Sequence, residues 1–113
     1  MRDWNDVLTT ARALPDVVVE EYYGTPCPKL NGKVLAAPGR EPGSFALMTG
    51  TVEKDVLMAT DPDTFWETDH YRSYPAVLVR YGTPARERVL IQLRRAWWDR
   101  ADAAQRAAFG ERP

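Results

Sequence analysis

Between Asp61 and Pro75 the chain holds its only histidine, His70, beside Tyr71, Tyr74 and Trp66, with the carboxylates of Asp61, Asp63, Glu67 and Asp69 leading up to it. An imidazole titrates near neutral pH and suits acid–base work. Tyr71 and Tyr74 add phenol groups and flat surfaces, and Trp66 can form one wall of a small-molecule pocket. No recognisable nucleophile–base pair, phosphate loop or metal-ligand spacing accompanies these groups. No catalytic residue is therefore assigned, and the chain is expected not to be an enzyme. The same side chains have a structural use: His70 and Tyr71 can hydrogen-bond the segment to a sheet while Tyr74-Pro75 steers the chain into the next strand. Cys27, between Pro26 and Pro28, is the single thiol, which excludes an internal disulfide and a multi-cysteine zinc site. A buried, inert cysteine is its ordinary reading.

The elements that must position these residues are visible in the pattern. Asp3 can cap a first helix in which Trp4, Val7, Leu8, Ala11 and Leu14 return on one apolar face, and Pro15 ends it. Val17–Tyr23 is β-branched and aromatic and reads as a strand. Cys27–Leu30, Asn31-Gly32 and Lys33–Ala37 read as a tight hairpin. After the Pro38–Gly43 loop, Ser44–Thr49 reads as another strand. Residues 52–60 fit either a helix capped by Thr51 or a strand, and the helix is preferred. Asp61-Pro62 then opens one short helical turn through Phe65. Ala76–Tyr81 is strand-like, and Thr83-Pro84 opens the longest helical pattern, to about Arg100, with a last helical piece over Asp102–Phe109.

At 113 residues, 44% of them hydrophobic, the chain can furnish one core, and residues 1–113 are read as a single domain. No apolar run approaches the roughly 20 residues needed to cross a bilayer, and the first six residues lack the apolar block of a signal peptide. A soluble, cytoplasmic protein without membrane contact is the expectation. Net charge is −1, unevenly spread: residues 1–69 carry 6 Lys/Arg against 12 Asp/Glu, residues 70–113 carry 9 Arg against 4. A basic C-terminal part hints at an anionic partner, unless the two parts interleave in the fold and cancel.

Projected at 100° per residue, the longest helix puts Ala85, Val89, Leu90, Leu93, Ala96 and Trp97 on one side, expected to pack on the sheet. Arg88, Ile91, Arg95 and Trp98 share a different face. That stripe either meets a partner, with Ile91 and Trp98 as a homodimer surface, or consists of arginine stems shielding Trp98 and Ile91 from water.

The Asp61-Pro62 to Phe65 run, the His70-Tyr71-x-x-Tyr74-Pro75 block, the Val77-Leu78-Val79-Arg80 strand and Ala96-Trp97 together resemble the MmcQ/YjbR family. The Leu14-Pro15 helix end and the Lys29-Leu30-Asn31-Gly32-Lys33 hairpin are similar to it too, so the resemblance spans nearly the whole chain. It implies a two-layer α+β fold of the frataxin/CyaY type. There, an antiparallel sheet of about five strands carries the N- and C-terminal helices on one face, and residues 52–60 are helical. It also implies DNA binding through a double-wing arrangement of hairpins. On that reading Lys29 and Lys33 flank a wing tip, Arg40 lies in the next loop, and Arg72 borders the aromatic block; all four would reach phosphates. The sequence pI near 5.8 runs against this, because DNA-binding domains are typically basic. Iron binding is not expected, since Asp3, Asp6, Asp16, Glu20 and Glu21 are scattered between apolar positions rather than forming an acidic ridge; no metal and no cofactor is assigned. The second reading is a small-molecule-binding or protein-interaction domain centred on the His70-Tyr71-x-x-Tyr74 loop, with Trp66, His70, Tyr71 and Tyr74 as its residues.

Overall fold

Asp3 begins the fold as its pattern requires: its side chain accepts a hydrogen bond from the Asp6 amide at 2.9 Å, starting helix α1, Trp4–Arg12. A computed structural model describes all residues, Met1–Pro113. Val7 and Ala11, four residues apart on α1, are fully buried. The chain then forms strands β1 (Val18–Tyr22) and β2 (Thr25–Leu30), antiparallel with Val18 opposite Lys29 and Tyr22 opposite Thr25. Strand β3, Lys33–Val34, pairs back on β2. Both hairpins close through two left-handed residues, Tyr23-Gly24 (φ 50° and 81°) and Asn31-Gly32 (φ 53° and 81°). These are type I′ dihedrals, whose twist matches the strands.

Strand β4 (Ala36–Pro38) pairs with β5 (Ser44–Met48), which pairs with β7 (Ala76–Arg80); β7 also pairs with β6 (Phe65–Trp66). The expected single sheet of about five strands is thus two antiparallel sheets, ordered β1-β2-β3 and β4-β5-β7-β6. The expected strand Lys33–Ala37 is broken at Leu35, where Leu35 and Ala36 are both fully buried. Two consecutive inward residues violate the two-residue alternation of a regular strand, so the ladder is interrupted there. Leu35 still joins the sheets, donating to Pro28 O at 2.9 Å and accepting from Met48 N at 3.1 Å.

Helix α2 (Thr51–Thr60) follows β5, and α3 (Arg86–Arg100) and α4 (Ala103–Phe109) end the chain. The helical choice for residues 52–60 is correct, although Gly50 rather than Thr51 stands at its cap and no side chain caps it. Phe65 N donates to Asp61 O at 2.9 Å, closing the expected single turn, but Phe65 itself enters β6 because its pairing with β7 continues the sheet.

Alternation along β5 and β7 divides the molecule. Phe45, Leu47, Val77 and Val79 face one way, in one core cluster with Val7 of α1, Leu57 of α2 and Val89, Leu93, Ala96 and Trp97 of α3. Of the face projected for α3, Val89, Leu93, Ala96 and Trp97 are buried and Leu90 packs against them, whereas Ala85 is the helix cap and the helix starts at Arg86 rather than at Thr83-Pro84. Ala46 and Leu78 have the opposite parity and lie with Tyr71 and Trp66 in a separate small cluster. The helices cover one side of the β5–β7 sheet, and the segment after β6 crosses the other.

The polar stripe of α3 is tied down within the chain. Arg88 donates to the Thr60 hydroxyl and lies over the Phe65 ring, and Arg95 pairs with Glu53 at 2.8 Å. Trp98 is half-buried, 6.3 Å from Phe109 with the Arg106 guanidinium 5.4 Å over its ring. An arginine does shield Trp98, but it comes from α4. Of the expected dimer pair, Ile91 alone lies open, at 37% exposure.

Candidate functional site

The face of the sheet away from the helices is floored by small side chains. Ala37 stands opposite Ala46, and Met48 opposite Ala76, so two neighbouring cross-strand pairs of one parity lie on this face. Above them opens a cleft of about 670 Å³. The β1–β2 turn forms one wall through Tyr22 and Tyr23, whose rings meet edge to face at 4.6 Å. His70, Tyr71 and Tyr74 form the other, with mutual ring separations of 4.8, 5.3 and 6.0 Å. Such edge-to-face aromatic sets favour one another by about 0.5–1.5 kcal/mol per pair.

Buried Lys54 holds the second wall in place. Its side chain leaves α2 at 3% exposure and donates to Tyr71 O at 2.8 Å and Tyr74 O at 3.1 Å. Its third contact is with Glu67 Oε2, also 2.8 Å, a charge pair whose angle falls short of a directed hydrogen bond and which is that oxygen's only polar contact. An ammonium has three donors and no acceptor, so two are spent on the loop carbonyls and the remaining charge faces the Glu67 carboxylate. The Asp69–Tyr71 3-10 turn between Glu67 and Tyr74 is thereby fastened to α2 from inside.

Arg40 stands between the cleft floor and the His70 loop. Its amide donates to the Tyr71 hydroxyl at 3.1 Å, and its guanidinium Nη1 to His70 Nδ1 at 2.7 Å. A guanidinium can only donate, so His70 Nδ1 accepts and the ring proton sits on Nε2. The loop is thus tied to the β4–β5 connection, whereas the structural reading of His70 and Tyr71 has them bonded to the sheet itself. Gly39 makes this approach possible: a Cβ there would stand 2.4 Å from Ser44 Oγ and 3.1 Å from both Ser44 O and Leu78 Cδ2.

Arg40 is the one permanently charged side chain in the cleft lining. No aspartate or glutamate lines it, and no carboxylate pairs with Arg40. Lys29 lies at the rim, 5.9 Å over the Tyr22 ring and donating to Glu21 O at 3.2 Å. Arg72 is paired with Asp69. Lys33 stands opposite core residue Leu30, so its register places it towards the helix side of the sheet. The Asn31-Gly32 turn is itself occupied: Asn31 Nδ2 donates to Arg100 O at 2.9 Å and Gln105 Oε1 at 2.8 Å, docking the hairpin on the α3–α4 junction. The structure therefore brings Arg40 and the rim residue Lys29 to the cleft, with Arg72 in the loop forming its wall, and leaves Lys33 elsewhere. Trp66 lies beneath the loop against Leu78, under the Arg80 guanidinium at 4.4 Å, and is not a cleft residue.

Compared with family models, with curated proteins and with solved structures, the chain matches none. What the site does must come from its own chemistry. A hollow of about 590 Å³ at the start of α2 offers little, since Glu53, Arg95, Asp99 and Arg112 around it neutralise one another. Cys27 is buried, and burial raises its thiol pKa while Lys29 opposes this, so it is held as an unreactive thiol. The tyrosines of the β1–β2 turn were missed in the sequence; the available signal was Tyr23-Gly24, which resembles a two-residue turn only once tyrosine is allowed a left-handed φ.

Proposed function

We propose that this chain is a non-catalytic binding domain whose ligand occupies the cleft between the β1–β2 turn and the His70 loop. The observation that carries this is an open cleft between two aromatic walls, over alanines and Met48, on a sheet face that no helix covers. Pockets that hold small molecules are mostly apolar with a few placed polar groups, and this cleft has that make-up. Its only imidazole has one nitrogen occupied by Arg40 and the other protonated, which leaves no free acceptor for general-base work.

The test is thermal melting of the chain against a small-molecule set, followed by amide chemical-shift mapping of any compound that raises Tm. Binding at this site moves the amides of Ala46, Tyr71 and Tyr74 and is lost in Ala37→Phe, which fills the floor. Shifts confined to other surfaces would refute the assignment.

DNA binding of the MmcQ/YjbR kind is the second reading, favoured by the gathering of Lys29, Arg40 and Arg72 around one cleft. The element order supports a frataxin-like architecture, with an N-terminal helix, antiparallel strands and C-terminal helices. Docking of Asn31 on α3 and α4 argues against a free wing tip at that hairpin. Anisotropy of a labelled duplex at about 50 and about 200 mM salt separates the readings, because phosphate contacts predict a steep loss of affinity with salt. Saturable, salt-sensitive binding that weakens in Lys29→Ala/Arg40→Ala would support DNA; no binding at the lower salt would remove it.

A further inference from the structure

Resting on that assignment of the cleft as a ligand site, we infer that its ligand is a planar aromatic ring system carrying a carboxylate or phosphate, with the ring between the tyrosine walls and the anion on the Arg40 guanidinium. The shape comes first. Ala37, Ala46 and Ala76 leave room above the sheet with Met48 beside them, but Ala46 and Ala76 are 3% and 1% exposed, so the surface offered to a solute is mainly that of the facing aromatic rings. A flat ring is the solute that packs against such rings with the fewest voids, since unfilled space forfeits dispersion contacts. Tyr74 at 49% exposure and Tyr23 at 93% offer ring surface to a ligand rather than to the protein core. Tyr23 is held outward by backbone with φ of 50°, a left-handed conformation that is uncommon for a residue with a Cβ.

Charge then sets the sign. Arg40 has one guanidinium nitrogen on His70 and no carboxylate within salt-bridge distance, which leaves its other N–H groups facing the cleft. With no acid lining the cleft and Lys29 at its rim, a cationic group on a ligand has nothing to pair with. A planar guanidinium with free N–H groups instead matches the two oxygens of a carboxylate or phosphate, and Nη1 stays directed by His70 Nδ1.

Four probes titrated into the 15N-labelled full chain test this: 2-naphthoate, its neutral amide 2-naphthamide, cyclohexanecarboxylate, and adenosine 5′-monophosphate. The expected result is that 2-naphthoate, adenosine 5′-monophosphate or both shift Ala46, Tyr71 and Tyr74, while 2-naphthamide and cyclohexanecarboxylate bind at least about tenfold more weakly. The two anions distinguish a carboxylate from a phosphate source. Arg40→Gln should reduce the preferred anion to the affinity of the neutral probe, and Tyr74→Leu should weaken the aromatic anion more than cyclohexanecarboxylate. Unchanged dispersion of the core amides shows that both variants fold. Equal binding of 2-naphthamide and 2-naphthoate, with Arg40→Gln neutral, overturns the anion requirement. Equal binding of cyclohexanecarboxylate overturns the ring requirement. A single-stranded oligothymidylate that moves the same amides at a tenfold lower concentration overturns the small-molecule class in favour of a strand. Silence of these amides with every probe refutes the ligand site itself, which is a different failure from the other three.

Discussion

Lys54 shows how much a single side chain can decide here. The sequence placed it on a helix, and a lysine on a helix is normally solvated. It is instead 3% exposed, with its ammonium shared among Glu67 and two carbonyls of the His70 loop. Removing one partner of a buried charge pair strands the other, so Lys54→Met should cost about 3–5 kcal/mol in urea unfolding. Lys54→Met/Glu67→Leu should recover a substantial part, and an additive loss would show that the pair does not act as one unit. Tyr81 provides a pH signature. Desolvation, with a smaller contribution from Asp3, pushes its pKa up from 10.0 to about 12. The native state thus holds the phenol proton more tightly than the unfolded chain. That contribution to stability is complete below about 10 and is lost as pH rises through about 12. Stability measured across this alkaline window should fall in the natural chain and fall less in Tyr81→Phe. His70 was legible as a singular residue from the sequence. Its engagement with Arg40, thirty positions earlier in the chain, was not.

Elements were legible where the signal is local. Asp3 and Asp102 both cap helices through side-chain oxygens, and Asp102 forms a reciprocal capping box with Gln105. Asn31-Gly32 makes the turn its dipeptide announces. What the hairpin docks against was not legible, because Asn31 meets Arg100 and Gln105 only through the packing of α3 and α4 on the sheet. Asn31→Gly keeps the left-handed backbone and removes only those contacts. It should cost about 1–2 kcal/mol and speed hydrogen exchange at Lys33 and Val34. Unchanged exchange would mean that the docking does not hold the hairpin. Gly39→Ala should cost about 1–3 kcal/mol, because the new methyl meets Ser44 Oγ, itself bound to Glu41 O at 2.6 Å, as well as the Ser44 backbone oxygen. It should also displace the Arg40 amide from Tyr71, visible as a shift of that amide; Ser44→Ala in addition should relieve part of the cost.

For the whole molecule, the opposite charges of the two parts of the chain are partly cancelled by the fold. Glu53 of the acidic part pairs with Arg95 and Arg112 of the basic part. An even basic surface is therefore not what the C-terminal arginines form. The α+β class and the sheet-facing sides of α1 and α3 follow from the sequence alone, because residues within one or two turns of each other report their own environment through spacing. Membership of a face, a cap or a turn is a local property, and local properties leave a period or a dipeptide behind. The tertiary structure alone decided that Leu35 ends one sheet and begins the next, that Lys54 is buried, and that two tyrosine-bearing segments face each other across three alanines. Those outcomes depend on which strands become neighbours and on which side of the sheet the His70 loop crosses. Both are fixed by the joint burial of distant apolar residues around Trp97 and Phe45, whose contacts have no spacing along the chain to be read.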